Sequence, residues 1–179
     1  MKMYLKIRNK KINLLWSYFV RTILLLLPDT PLIMKFRGWL YSFGMFSCGH
    51  NLQVAASANI RGLLNVSAGN NVYIGPNAYI LSRGRIKIGD DVLIAMNVVI
   101  VDTNHKFDGN SYRVLHSSPR PIDIGSGSWV AANSVLVPGT TIGKRTVIGA
   151  GVVCSTSYPD NSIYVCRNPR LLGSDDVEK

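Results

Sequence analysis

The stretch IGSGSWVAANSVLVPGTTIGKRTVIGAGVV, residues 124–153, repeats a six-residue phrase five times without interruption. Each phrase opens with an aliphatic residue, at positions 124, 130, 136, 142 and 148, and carries a small residue four places later. A period of six matches neither the 3.6-residue turn of an α-helix nor the two-residue alternation of a strand. It is typical of a parallel β-helix, in which three six-residue sides form one coil and the coils stack. This stretch therefore predicts a mainly β solenoid.

A less regular block of the same repeat precedes this stretch. Six-residue spacing links four aliphatic residues, Val54, Ile60, Val66 and Val72. The register then steps by two to Ile74, and the repeat resumes from Ile88 after a short insertion. Glycines at the phrase corners, such as Gly69 and Gly125, suggest backbone with positive φ at tight turns. We expect about five coils in all.

The repeat fails between Ile100 and Ile124, where the chain has no aliphatic period. We expect a loop extruded from the coil over about 102–121, a place where rigid scaffolds tend to carry chemistry. It holds His105 and His116. A histidine at the exit from a coil can act as a general base near neutral pH. Asp102, three residues earlier, could orient the ring of His105 and stabilise its imidazolium.

Residues 1–50 form a basic and apolar segment ahead of the repeats. They hold eight of the 20 Lys and Arg residues and one of the ten acids, so +7 of the net charge of +10 lies here. The apolar run 12–27 is shorter than the roughly 20 residues that cross a bilayer. We expect amphipathic helices that either cap the β-helix or lie on the anionic inner face of a membrane. We do not expect nucleic acid as a partner.

The expected organisation is a helical segment over 1–50, a β-helix over 51–165 and a C-terminal tail over 166–179. Three cysteines, Cys48, Cys154 and Cys166, form an odd set without CxxC spacing. Together with the lack of a cleavage site after the apolar run, they favour reduced thiols and a cytoplasmic protein.

Three stretches together resemble the hexapeptide-repeat acyltransferases. They are IGDDVLIAMNVVIVDTNHKFD, PIDIGSGSWVAANSVLVPGTTIGKRTVIGAGVV and YPDNSIYVCRNP, within about 50–172. The resemblance is greatest to the sugar O-acetyltransferases of polysaccharide biosynthesis and to the galactoside/maltose acetyltransferase type. It implies a left-handed parallel β-helix, a homotrimer with active sites between subunits, and acetyl-CoA as donor without a metal. His105 would act as general base in direct transfer to a hydroxyl of a sugar or glycan, in surface polysaccharide biosynthesis.

The same resemblance assigns further site residues. Asn77 falls where the galactoside type has an acceptor-contacting Asn, and Asn104, beside the expected base His105, is expected to bind the substrate as well. The positions that would contact the coenzyme are Trp129, Ala131, Ala132, Gly149 and Ala150.

The chain departs from the family near its end. Residues 155–157 read Ser-Thr-Ser where the family reads T-K-D, so a lysine near the coenzyme phosphates is missing. Residues 167–171 read R-N-P-R-L in place of G-N-P-A-K/R. Arg167 and Arg170, or alternatively Lys144 or Arg145, would supply the phosphate contact instead.

Two other functions on the same fold are disfavoured by the sequence, and two alternatives remain. A γ-type carbonic anhydrase needs three histidine ligands, and His50 lies ahead of the expected coils. A sugar nucleotidyltransferase needs an additional nucleotide-binding domain that residues 1–50 cannot supply. A non-enzymatic scaffold and an N-acetyltransferase acting on an amino sugar are the remaining alternatives.

Overall fold

The computed structural model describes residue 7 and residues 9–166. Two helices come first, α1 (Lys10–Ile23) and α2 (Pro31–Ser42). The side chain of Asn9 caps α1 by accepting from the backbone N–H of Lys11, and Pro31 occupies the first turn of α2. Both are typical helix starts.

Seventeen short strands follow within the described residues. They are β1 (Ser47–Cys48), β2 (Gln53–Val54), β3 (Asn59–Arg61), β4 (Val66–Ala68), β5 (Tyr73–Ile74), β6 (Tyr79–Leu81), β7 (Ile86–Ile88), β8 (Leu93–Ile94), β9 (Val99–Val101), β10 (Ile122–Ile124), β11 (Trp129–Val130), β12 (Val135–Leu136), β13 (Thr141–Ile142), β14 (Val147–Ile148), β15 (Val153–Cys154), β16 (Ser157–Tyr158) and β17 (Ile163–Tyr164).

The strands form three parallel sheets that make the three sides of a solenoid. The first sheet is β1-β4-β7-β10-β13-β16, the second is β2-β5-β8-β11-β14-β17, and the third is β3-β6-β9-β12-β15. The chain thus makes five complete coils and two sides of a sixth, matching the left-handed parallel β-helix expected from the resemblance. We call the turn from first to second sheet the first corner, from second to third the second corner, and from third to first the third corner.

The residues that open the repeated phrases form the core. Ile124, Val130, Leu136, Ile142 and Ile148 are all buried, and Cys154 continues the series as a buried core residue stacked on Leu136. The small residues of the phrases point inward as well, and their hydroxyls bind the next coil. Ser128 donates to the carbonyl of Gly143 at 2.7 Å, and Ser134 donates to that of Gly149 at 2.9 Å. Buried hydroxyls are thereby satisfied inside an otherwise apolar core.

The extra residues of the repeat all lie at the third corner. The sequence suggests a shift between Val72 and Ile74, but strand pairing aligns Ile60 with Ile80 and Ala68 with Ile88. The extra residues therefore lie between β3 and β4, in the 3₁₀ turn Leu63–Asn65. Residues 82–85 and the long loop 102–121 occupy the same corner in the next two coils.

The corner glycines have a different role from the predicted one. Positive φ is found two residues after Gly69, at Asn71 (54°), and two residues after Gly125, at Gly127 (72°). A Cβ on Gly69 would lie 2.7 Å from the backbone nitrogen of Asp90, and one on Gly125 would lie 2.5 Å from that of Lys144. These glycines permit close stacking of coils, as real Cβ atoms do not approach backbone so closely.

The two helices cap the first coil. Arg37 of α2 is buried, and its guanidinium donates to the carbonyls of Val54 at 2.6 Å and Leu24 at 3.2 Å. It also pairs with Asp29 at 3.0 Å, and Asp29 accepts from the backbone N–H of Ala56. The guanidinium therefore joins the helices to the open end of the solenoid. The first coil begins at Ser47, ahead of the boundary expected at residue 51, so His50 lies inside this coil, between β1 and β2.

Candidate active site

The loop at the third corner begins as a two-stranded ribbon. The backbone N–H of Lys106 donates to the carbonyl of Leu115 at 2.9 Å, and that of Ser117 donates to the carbonyl of Asn104 at 2.9 Å. The Ser117 hydroxyl accepts from the Asn104 N–H at 3.2 Å. The predicted irregular loop is thus paired at its base, and the pairing holds the backbone of His105.

His105 and His116 face each other across this ribbon. They form an isolated antiparallel bridge, and their ring centroids lie 4.4 Å apart. Both residues are exposed to solvent. The sequence does not suggest this pairing, because His116 has no acid nearby and eleven positions separate it from His105. An imidazole on a fixed ribbon and open to solvent is accessible to a substrate, as a general base must be.

Asp102 anchors the base of the loop. It is fully buried, and its carboxylate accepts from the Ser82 hydroxyl at 2.6 Å and from the backbone N–H groups of Arg83 at 2.9 Å and Gly84 at 2.8 Å. The sequence suggests that this carboxylate orients His105. The structure instead directs it to the third-corner turn of the preceding coil, because that turn presents N–H groups without a sheet partner. Asp102 thus fixes the start of the loop that carries His105 against the preceding coil.

The pKa of His116 is lowered from its ordinary value. Desolvation is the largest cause, and the positive charges of Arg83 and His105 add to it. In acid the unfolded chain therefore binds more protons at His116 than the folded chain does. As the pH falls below the ordinary histidine pKa, protonation of His116 thus lowers the stability of the fold. At neutral pH the neutral ring is favoured.

We expect a proton NMR titration to find His116 deprotonating below the ordinary histidine pKa. The variant Arg83→Gln removes one positive neighbour and should move the midpoint upward. His50, which lies two coils away from the loop, provides an internal reference in the same spectra. A His116 midpoint that Arg83→Gln leaves unchanged would contradict this assignment.

Four of the candidate coenzyme residues form one column at the second corner. Ala131 and Ala132 follow β11, and Gly149 and Ala150 follow β14 in the next coil. The Ala131 N–H donates to the carbonyl of Ile148 at 2.8 Å, so the two pairs stack directly. A Cβ on Gly149 would approach the Tyr164 carbonyl oxygen to 2.8 Å, so only glycine fits this position without movement. We call these four residues the small-residue column.

Trp129 stands beside the small-residue column on the outer face of the second sheet. It is half-exposed and pairs in register with Leu93 below and Val147 above. An exposed indole next to a column of small side chains is suited to an extended apolar ligand arm.

The remaining predicted residues are dispersed. Asn77 lies at the second corner with a φ of 56°, as Asn97 and Asn133 do in other coils at 57° and 60°. Its position in the turn is explained by the tolerance of Asn for this conformation. Asn104 is exposed next to His105. The guanidinium of Arg145 donates to the Asn161 side chain at 2.7 Å, while Lys144 is exposed. Arg167 and Arg170 lie outside the described residues.

Within one chain, the small-residue column lies apart from the loop 102–121, which we call the histidine loop. The column is at the second corner and the loop at the third, with the third sheet between them. The side of the coil from Ala132 to Val137 is five residue-to-residue steps long, which corresponds to about 16 Å of strand. A cavity of about 960 Å³ lies elsewhere, between α2 and the first coil, with Trp39 and His50 in its lining.

Two family models match the repeats. Residues 121–156 match "Bacterial transferase hexapeptide (six repeats)", and residues 65–101 match "Hexapeptide repeat of succinyl-transferase". These ranges flank the loop, of which residues 102–120 belong to neither match.

Named relatives extend the similarity. The galactoside O-acetyltransferase of Escherichia coli is 35% identical over 94 residues, which cover 51% of this chain and 46% of that protein. The putative colanic acid biosynthesis acetyltransferase of Escherichia coli is 27% identical over 165 residues, covering 92% of this chain and 87% of that protein. The chain spans less than half the length of several curated relatives that it matches.

A solved structure of a galactoside acetyltransferase in complex with coenzyme A superposes with a TM-score of 0.72 at 25% identity. The match covers 87% of this chain and 77% of that one. The repeats, the solenoid and these relatives agree in their similarity to the hexapeptide-repeat transferases.

Proposed function

We propose that the protein is an acetyl-CoA-dependent O-acetyltransferase that acts on a sugar hydroxyl in the biosynthesis of a surface polysaccharide. The observation that carries the proposal is His105, exposed on a hydrogen-bonded ribbon at the one corner where the solenoid is interrupted. The relatives support the substrate class, since one is named for galactosides and another for colanic acid biosynthesis.

The reaction we propose is direct transfer. The imidazole of His105 takes the proton of the acceptor hydroxyl while the hydroxyl oxygen attacks the thioester carbonyl carbon. The carbon–sulfur bond then breaks, and the coenzyme A thiolate leaves with the proton from the imidazolium. Backbone N–H groups near the thioester would stabilise the oxyanion. No acyl-enzyme forms, and no metal takes part.

The small-residue column would hold the pantetheine arm of acetyl-CoA. Its small side chains let the arm run close to the backbone, with the indole of Trp129 beside it. Lys144 is exposed one coil side away and available for a phosphate. We assign Arg167 and Arg170 the same role on the basis of the sequence.

We further propose that the complete site lies between subunits of a homotrimer. About 16 Å of coil side separates the column from the base of the loop on one chain, and in a homotrimer the loop of a neighbouring subunit would approach the column directly. The loop also exposes four large apolar side chains, Phe107, Tyr112, Val114 and Leu115, as an intersubunit surface would. Asn77 lies at the same corner as the column, where it could reach an acceptor held by the neighbouring loop.

A cytoplasmic location suits this function. Cys154 and Cys166 form no disulfide within the described residues. Reduced thiols of this kind persist in a reducing compartment. Among the described residues no helix is long and apolar enough to cross a membrane.

The test of the proposed function is a transfer assay. The full chain is incubated with acetyl-CoA and a panel of sugars, nucleotide sugars and lipid-linked glycans, and the products are read by mass spectrometry. We expect one acceptor class to gain an acetyl ester with equimolar release of coenzyme A. Release of coenzyme A to water alone, or acetylation of an amino group only, would contradict the proposal.

A further inference from the structure

Helix α1 presents polar side chains to the protein. Asn13 and Ser17 are buried on its inner face. The Asn13 amide donates to the carbonyl of Gly44 at 2.8 Å, and the Ser17 hydroxyl donates to that of Ile60 at 2.5 Å. These bonds tie α1 to the turn after α2 and to β3 of the first coil. The inner face of α1 thus combines these hydrogen bonds with apolar packing through Val20, which is buried in the core.

The outer face of α1 is apolar. Ile12, Leu15, Phe19 and Ile23 follow one another at helical spacing and are 49–67% exposed. Leu26, just beyond the helix, is 92% exposed. A contiguous apolar stripe of this kind is rare on a surface that faces only water, and it marks an interaction site.

Aromatic contacts join this stripe to α2. The rings of Phe19 and Trp16 stack at 5.7 Å, and Trp16 meets Phe43 at 6.3 Å. Phe43 in turn contacts Trp39 at 4.8 Å, and Trp39 stacks on Phe36 at 5.7 Å. The chain of rings makes one continuous surface across both helices. We call it the apolar cap surface, formed by Ile12, Leu15, Phe19, Ile23, Phe36 and Trp39.

The charges around the apolar cap surface are basic. Lys10, Lys11 and Lys35 are exposed on the same two helices. The sole acid among residues 1–50 is Asp29, and its carboxylate is bound to Arg37 and to the Ala56 N–H. The positive charge is thus left without an acidic counterpart within this segment. Apolar area bordered by lysines is complementary to anionic lipid headgroups over an acyl layer.

We propose that the apolar cap surface docks on an anionic lipid bilayer, with α1 and α2 lying in the plane of the interface. Half-exposed Trp39 and Tyr18 would sit at the headgroup level, where amphipathic aromatic rings are favoured. Helix α1 also contacts the 3₁₀ turn Leu63–Asn65, at the corner from which the histidine loop leaves two coils further on. Two strand spacings are about 10 Å, so docking would bring the loop near the membrane.

The test is co-sedimentation of the full chain with phosphatidylcholine vesicles that contain or lack phosphatidylglycerol. We expect binding to the anionic vesicles, reduced by salt because the lysine contribution is screened. The double variant Lys10→Gln/Lys11→Gln should lower partitioning roughly tenfold or more without affecting the fold, since both side chains are exposed. Leu15→Asp/Phe19→Asp should abolish binding. Ile163→Asp, an equally exposed apolar position in the last coil, is the matched control and should bind as the parent does.

Light scattering on the same proteins separates the membrane from the other occupant, a second copy of this chain. The proposal predicts that Leu15→Asp/Phe19→Asp keeps the parent's mass in solution. A smaller mass for this variant, with no vesicle binding by the parent, would overturn the proposal and make the surface a subunit interface. Equal binding to neutral and anionic vesicles would overturn the lysine contribution.

Discussion

Replacement of His105 by alanine is expected to lower kcat for acetyl transfer by about 10²- to 10⁴-fold, the usual contribution of a general base. The side chain is exposed and its backbone is held by the ribbon, so the fold and the binding of acetyl-CoA should remain intact. The measurement is the rate of coenzyme A release with a saturating acceptor, alongside calorimetric binding of acetyl-CoA.

His116→Ala is the matched control for this experiment. It removes the other ring of the pair and should cause a smaller loss, because His116 has no direct role in the proposed proton transfer. Parental rates in His105→Ala, or equal losses in the two variants, would contradict the assignment of His105 as the base.

The second large effect is expected at Asp102, and it concerns stability first. Asp102→Ala removes the acceptor of the buried Ser82 hydroxyl and of the N–H groups of Arg83 and Gly84, whose bonds to the carboxylate are partly buried. Each unsatisfied group costs about 1–3 kcal/mol, so we expect a loss of about 3 kcal/mol or more in the free energy of unfolding. For a chain of this size the Tm should fall by roughly 10 °C.

Asp108→Ala provides a comparison within the same loop. Asp108 also accepts two backbone N–H bonds, from Asn110 and Ser111, but it is exposed at the loop tip. We expect its Tm to stay close to that of the parent. If Asp102→Ala kept the parental Tm and lost only activity, the carboxylate would act on the chemistry directly, as the sequence alone suggests.

The regular part of the fold could be predicted from the sequence because each aliphatic opening residue is buried by its own stacked neighbours. Ile124, Val130 and Leu136 repeat the same environment in successive sides, so one rule covers them all. Where two inward positions of one six-residue side are both aliphatic, the period does not show where residues have been inserted. This is why the shift appears near Val72 in the sequence but lies in the turn Leu63–Asn65.

The position of the candidate site could be predicted from the sequence, but the side-chain contacts within it could not. The loss of the period marks the loop, and His105 lies in it. The partners of Asp102 could not be foreseen, because Ser82 and Gly84 are separated from it along the chain and meet it only through coil stacking. The same holds for the ring contact of His105 with His116, which depends on how the ribbon pairs.

The central claim is that the histidine loop of one subunit and the small-residue column of another form one site. Its most direct test combines two inactive variants, His105→Ala and Ala150→Trp, where the indole at the exposed Ala150 blocks the coenzyme arm. Acetyl transfer is measured for each alone and for hybrids obtained by co-expression. In random hybrids half of the loops and half of the columns are intact, so both members are intact in about a quarter of the loop–column pairs. A site shared between subunits therefore predicts that hybrids regain about a quarter of the parental activity. Hybrids no more active than the separate variants would place the site within one chain and contradict the account.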